Sequence, residues 1–296
     1  MTNFHTETLL RLVDSFPALP ATVNKVIAVT SNPESSAHDL MKAILPDQSM
    51  CATILKIANS AFFGIPNSVS TIEKAVVVLG FDEIRDVVIG KAVFSSFQKL
   101  NRDNRNNIKI FWEHSFTCGL AAKIIASHLG QPKSELFVAG LIHDIGKLAM
   151  LSATPQDYAS FLEPAEPGAF GSTSREKETF AITHDQIGMR LLKRWHFPES
   201  LVVAIGYHHQ PQAAPNQPVY PLIVQLADIL SLIHCRPEKL TSEEVRAILH
   251  DLLPDVLQNW KENSLPGELE DIYSWYLELI DSRQRDGAVI DILTSP

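Results

Sequence analysis

At 296 residues and 45% hydrophobic content, the chain is long enough for one large domain or two small ones with ample cores, so folding needs no crosslinks. The three cysteines, Cys51, Cys118 and Cys235, are far apart and form no C-x-x-C pair, which indicates neither a disulfide framework nor a thiolate zinc site. A formal charge of -9, with no dense Lys/Arg run interleaved with aromatics, argues against nucleic acid as the main partner and leaves room only for a local basic pocket.

The N-terminal Met1 to Glu7 lacks a basic stretch followed by an apolar one, and by hydropathy alone no apolar run is expected to approach the roughly 20 residues needed to span a bilayer. The expectation is a protein without a membrane partner, in the reducing cytoplasm.

From Thr8 to about Leu100 the chain reads as short helices separated by punctuation. Leu19 to Val29 has Pro20 where a first turn tolerates it and apolar residues at helical spacing, and Asn32-Pro33 closes it. Ser36 precedes a second helix through Leu40 and Ile44, stopped at Pro46. Ser49 to Asn59 forms a third. Ser70 or Thr71 caps a fourth that Gly80 terminates, and Phe81 to Phe97 is the fifth, with Asp82 and Glu83 in its first turn.

The polar run Asn101 to Asn107 marks a boundary. Helices follow from Ile108 to Leu129, and from a Ser134 cap into Ala139-Gly140-Leu141-Ile142-His143-Asp144-Ile145-Gly146-Lys147-Leu148, with Gly146 bending or ending the second. Pro155, Pro164, Pro167, Gly168 and Gly171 predict a long loop or broken helix from Ser152 to about Thr179. Further helices are expected over Thr183 to Trp195, Glu199 to His209, Leu222 to His234, Ser242 to Leu253 and Leu269 to Asp281. No stretch alternates as a half-buried strand would, so the expected fold is all-α.

Pro20-Ala21-Thr22-Val23, Asn59-Ser60-Ala61-Phe62-Phe63-Gly64 and Thr71 to Gly80 resemble the hallmark segments of the bacterial HDOD family, a signalling branch related to the HD phosphohydrolase superfamily. The resemblance runs from about Leu10 to Asp228. It implies a multi-helix HD-like bundle: an N-terminal helical part over residues 1–103, a core that carries the site over 104–236, and a helical extension over 237–296. It also implies a signalling or regulatory role, with signalling proteins as partners.

The ligand-type residues on these helices are His114, His143, Asp144, His184, His208, His209 and Asp228. Imidazole and carboxylate suit iron, manganese, zinc or nickel, and no nearby cysteine asks for a softer ion. Neighbours on a helix diverge by about 100°, so the doublets His143-Asp144 and His208-His209 favour two ions over one. Asp228 lies in an apolar helix, where an unpaired buried carboxylate would be costly, so it should meet a cation.

The resemblance implies the same grouping. In the HD superfamily a histidine, the His-Asp doublet and a distant aspartate bind a first metal, matching His114, His143, Asp144 and Asp228. The HD-GYP branch, which hydrolyses cyclic di-GMP, adds a lysine and further histidines, similar to Lys147, His184, His208 and His209.

Most HDOD proteins have lost several of these groups, whereas this chain keeps them. It departs from HD-GYP proteins at Ile110, where some have an acidic ligand, and at Gln210-Pro211-Gln212-Ala213-Ala214, which lacks their Asp-Gly and Gly-Tyr-Pro elements. Both departures weigh against cyclic di-GMP hydrolysis and leave metal binding untouched.

Residues and resemblance together lead to the expectation of a signalling or regulatory HDOD protein that keeps a centre of two divalent transition-metal ions, iron or manganese ahead of zinc or nickel. The competing reading is a metal-dependent phosphohydrolase that attacks a small phosphorylated or nucleotide-like ligand with water, Asp144 and Lys147 being its catalytic candidates.

Overall fold

The computed structural model describes residues 2–16, 18–30, 32, 34–60, 68–97, 105–162, 172–216, 218–236 and 240–294. Ala61 to Gly64 of the family-like segment, Asn101 to Asn104 of the polar boundary, and Pro164, Pro167, Gly168 and Gly171 lie outside them. Among the described residues every regular element is helical.

The chain divides into two compact units. One comprises residues 17–102 and 282–296, and it contains α2 (Ala21–Thr30), α3 (Ala37–Ile44), α4 (Gln48–Ala58) and α5 (Ile72–Ser96). Its helices begin where side chains can replace missing backbone partners. Ser36 and Asp39 close a capping box on α3, and Asp47 and Thr71 accept from backbone amides at the starts of α4 and α5. Ile54, Ile57, Ile84 and Ile89 fill the interior.

Within α5, Gly80 sits at φ 85, ψ 174, a break at the point where the sequence separates two helices. A side chain there would be strained although open space surrounds it. Gly80→Ala is expected to lower the urea unfolding free energy by about 1–3 kcal/mol; an unchanged midpoint and slope would refute that.

The other unit comprises residues 1–16 and 103–281. It contains α1 (Thr2–Ser15), α6 (Arg105–His128), α7 (Lys133–Ile142), α8 (Ile145–Ala153), α9 (Pro155–Tyr158), α10 (Ser172–Phe180), α11 (His184–Arg194), α12 (Glu199–Tyr207), α13 (Val219–His234), α14 (Ser242–Leu252), α15 (Pro254–Glu262) and the first part of α16 (Leu269–Thr294). α6 packs along α7 and α13, α11 packs along α8 and α12, and the α7–α8 junction belongs to both groups.

α1 lies against α8, α10 and α11, held by Arg190 gripping Asp14 through two hydrogen bonds of 2.8 and 2.6 Å. Trp260, Trp275 and Tyr276 are buried within this unit.

Three differences from the sequence reading have local causes. Pro132, not Ser134, holds the N-cap position of α7, and Ser134 is buried inside the first turn. Of the two alternatives offered for residues 152–179, the described parts follow the broken helix and not the long loop: α8 runs to Ala153, α9 follows, and α10 begins at Ser172, because Pro155 starts a helix instead of ending one. Finally, one stretch, Lys133–Ala153, is long and apolar enough to cross a membrane by length and composition, but 83% of its most apolar 18-residue window is buried in the fold. It breaks into two helices at His143-Asp144, and its apolar residues cover the site from within.

Candidate metal centre

His143 closes α7 and Asp144 opens α8, so the doublet sits at a helix junction and not inside one helix. His114 is on α6, Lys147 on α8, His184 is the first residue of α11, His208 and His209 form the turn after α12, and Asp228 is on α13. All seven ligand candidates converge. They fall into two groups, His114, His143 and Asp228 in one and Asp144, His184, His208 and His209 in the other, with ligand atoms within 4.8 Å of one another in each.

The expectation that adjacent histidines diverge is corrected here: His208 and His209 share one group, their ring centroids 4.0 Å apart. The helical 100° rule does not apply to them because α12 ends at Tyr207 and the doublet lies in the following turn.

Asp144 faces both groups. Its Oδ2 lies 3.3 Å from His143 Nε2 and 3.7 Å from His114 Nε2, while Oδ1 lies 3.0 Å from His184 Nε2 and 3.9 Å from His208 Nε2. Asp228 Oδ1 approaches His114 and His143 at 3.2 and 3.5 Å.

Four histidines are oriented by the ring nitrogen that points away from the cluster. His143 Nδ1 donates to Gly140 O at 2.8 Å and His208 Nδ1 to Ile205 O at 2.7 Å. His114 Nδ1 donates to Ser231 Oγ at 3.0 Å, and that hydroxyl passes its own proton to Asp228 O at 2.8 Å. His184 Nδ1 donates to the Glu176 carboxylate at 2.9 Å. These bonds assign the tautomers and leave every Nε2 turned inward, as ligand histidines are held.

Two inward pairs approach closely, His114 Nε2 with His143 Nε2 at 3.3 Å and His184 Nε2 with His209 Nε2 at 2.9 Å. Lone pairs at such separations need a cation between them, either a proton or a metal. His208 Nε2 is buried without a hydrogen bond, an exception among buried polar atoms that suits a ligand nitrogen. The donor set therefore fits a metal ion: the buried His/Asp groups could hold one.

The cluster carries its own counter-charges. Burial raises the pKa values of Asp144 and Asp228, but His143 and Lys147 beside Asp144, and hydrogen bonds from His114 and His143 to Asp228, hold both carboxyls well below the usual range. Burial disfavours charge on the imidazoles too, yet Asp144 keeps His143 well above its ordinary value, and Glu176 lifts His184 to about 9. Burial and the charges on His143 and His184 press His208 down to about 4, and burial with His208 and His184 lowers His209 well below the ordinary range. Lys147 Nζ sits 2.6 Å from Asp144 Oδ2, so its ammonium engages the carboxylate that faces both groups.

Most of the cluster is buried, but the side chains of His114 and Lys147 keep 12% and 18% exposure and His209 is also partly exposed, which marks the face open to solvent. Sequence reasoning missed Glu176 and Tyr158, both buried behind His184. The available signal was Glu176 lying eight residues before His184, but the proline- and glycine-based loop expectation hid the helix that carries it.

The HDOD domain profile matches residues 16–211, which include every candidate ligand except Asp228. An uncharacterized protein of Treponema pallidum is 24% identical over 217 residues, 73% of this chain and 41% of that protein. Ribonuclease Y of Thermus thermophilus is 32% identical over 119 residues, 40% of this chain and 16% of that protein. The chain thus spans less than half the length of these relatives.

Among solved structures, an HDOD domain protein of unknown function from Geobacter sulfurreducens superposes with TM-score 0.67 at 24% identity, covering 97% of this chain and 98% of that one. A candidate phosphohydrolase from Shewanella amazonensis gives TM-score 0.71 at 23% identity over 98% and 99%. At these identities the likeness shows the fold.

Proposed function

The chain belongs to the HDOD family, and on that premise we propose that it is a cytoplasmic signalling or regulatory protein whose output depends on a two-metal centre of iron or manganese. The observation that carries this reading is Asp144, whose two oxygens face two separate groups of inward-turned histidines. In it, His114, His143 and Asp228 would hold one ion and His184, His208 and His209 the other, with Asp144 facing both groups. Its partners are signalling proteins, and its ligand is small and phosphorylated.

The partly exposed face formed by His114, Lys147 and His209 supports a second reading, hydrolysis of a nucleotide-like phosphoester. Bound ions would supply Lewis acidity and a hydroxide nucleophile at neutral pH. Lys147 would move from Asp144 to a phosphate oxygen and neutralise charge there. Asp144 would keep both halves at a fixed spacing, and the buried wall of α7 and α8 would keep bulk water from the inner side.

Metal analysis of anaerobically purified protein tests the centre. The expected content is about two equivalents of transition metal, and less than about half an equivalent, unchanged by His143→Ala, would sink it. Assays of phosphomonoesters and phosphodiesters with Mn(II) and Fe(II) then separate the readings. Turnover no greater than that of Asp144→Ala leaves the regulatory role, and turnover clearly above it establishes the hydrolase.

A further inference from the structure

The four oriented histidines do not have equivalent anchors. His143 and His208 rest on backbone carbonyls and His114 on a serine hydroxyl, all neutral acceptors. His184 alone among them rests on a carboxylate. Glu176 holds it twice, accepting from the ring Nδ1 at 3.0 and 2.9 Å and from the His184 backbone amide at 2.8 Å. Glu176 is fully buried, and Tyr158, also fully buried, donates its phenol to Glu176 Oε1. Tyr158 is fixed in turn by Phe161, stacked at 5.0 Å, and by Phe180 at 5.8 Å.

A carboxylate buried at the end of a hydrogen-bonded chain is an expensive construction unless every partner is satisfied, as Tyr158 and His184 satisfy this one. Its geometric effect is specific. Glu176 fixes the ring angle of His184 and the nitrogen that bears the outer proton, and it anchors the first amide of α11, so side chain and backbone are set by one group. A charged acceptor also makes the opposite nitrogen a stronger donor to a cation than a carbonyl-bound imidazole would be.

We propose that Glu176, held by Tyr158, is the positioning residue that makes the half-site of Asp144, His184, His208 and His209 competent for metal, and that the half-site of His114, His143 and Asp228 does not depend on it. This rests on the two-metal reading above and adds an asymmetry to it: one half of the centre has a dedicated carboxylate support, and the other is supported by neutral groups.

Titration of the metal-free full chain with Mn(II), followed by calorimetry and electron paramagnetic resonance, tests the proposal. Wild type is expected to take up two equivalents and to show the spectrum of a coupled pair. Glu176→Gln is expected to weaken one equivalent by about 10–100-fold, leave the other unchanged, and show the signal of an isolated Mn(II) at intermediate loading. Tyr158→Phe, which keeps the ring stack and loses only the hydroxyl, is expected to shift the same equivalent by a smaller factor. It carries the test if Glu176→Gln fails to give folded protein by circular dichroism.

A purely structural role would weaken both equivalents alike or neither, and either pattern in a folded variant overturns the proposal while leaving the two-metal reading intact. A wild-type chain that never takes a second equivalent overturns that reading, and this proposal with it.

Discussion

Asp144→Asn is expected to strip metal from both halves of the centre, whereas His208→Ala should remove it from only one. Among the described residues, Asp144 is the single carboxylate that reaches both sets of imidazoles, with Oδ2 3.3 Å from His143 Nε2 and Oδ1 3.0 Å from His184 Nε2. Asparagine keeps the shape but replaces one charged oxygen by an amide donor, which must point at one set of inward lone pairs and repel a cation there. The remaining oxygen is neutral, so the second half weakens as well.

Elemental analysis should show bound metal falling from about two equivalents to under about half in Asp144→Asn, and to about one in His208→Ala. If Asp144→Asn kept one full equivalent, the two halves would be independent and the bridging role would fail.

Gly146→Ala is expected to have the largest effect on stability. A Cβ at this position would lie 1.8 Å from His184 O, 2.7 Å from His184 C and 2.8 Å from Gly188 N. All three atoms are backbone, so no rotamer change can make room. α8 and α11 would have to separate at their crossing, the point that sets Asp144 and Lys147 on one helix against His184 on the other. Overpacking of a core usually costs about 1–3 kcal/mol, and the cost here should reach or exceed about 3 kcal/mol because two helices must shift together. Urea unfolding of the metal-free protein measures this, and a loss below about 1 kcal/mol would show that the crossing yields easily. Metal content should fall alongside stability, since His184 moves with its helix.

Much of this was legible in the residues. Ser36, Thr71 and Gly80 mark helix limits through local hydrogen bonding and backbone freedom, and the structure places ends there. The seven ligand candidates could be picked out because ionisable side chains inside apolar helices are unusual, and the structure collects all of them.

What stayed hidden depends on contacts across the chain. The helical-wheel argument for His208-His209 failed because whether a doublet lies in a helix or in the turn after it depends on one residue at the helix end. Glu176 looked like one more surface acid in Ser174-Arg175-Glu176-Lys177-Glu178; only packing of α10 behind His184 makes it a buried partner. Lys147, a catalytic candidate in the sequence, lies on Asp144 in the structure, a contact that spacing alone does not fix.

The ligands come from well-separated parts of the chain, with over a hundred residues between His114 and Asp228. Contacts so distant in sequence form late, after shorter loops have closed. An unfolded chain offers an ion only isolated doublets, so an ion bound at this centre would favour the folded form, and saturation at a hundred times the dissociation constant would add about 2.7 kcal/mol to folding. Metal supply would then govern how long each molecule survives proteolysis as well as whether its centre is filled. Starvation for the ion would lower the abundance of the protein along with its occupancy.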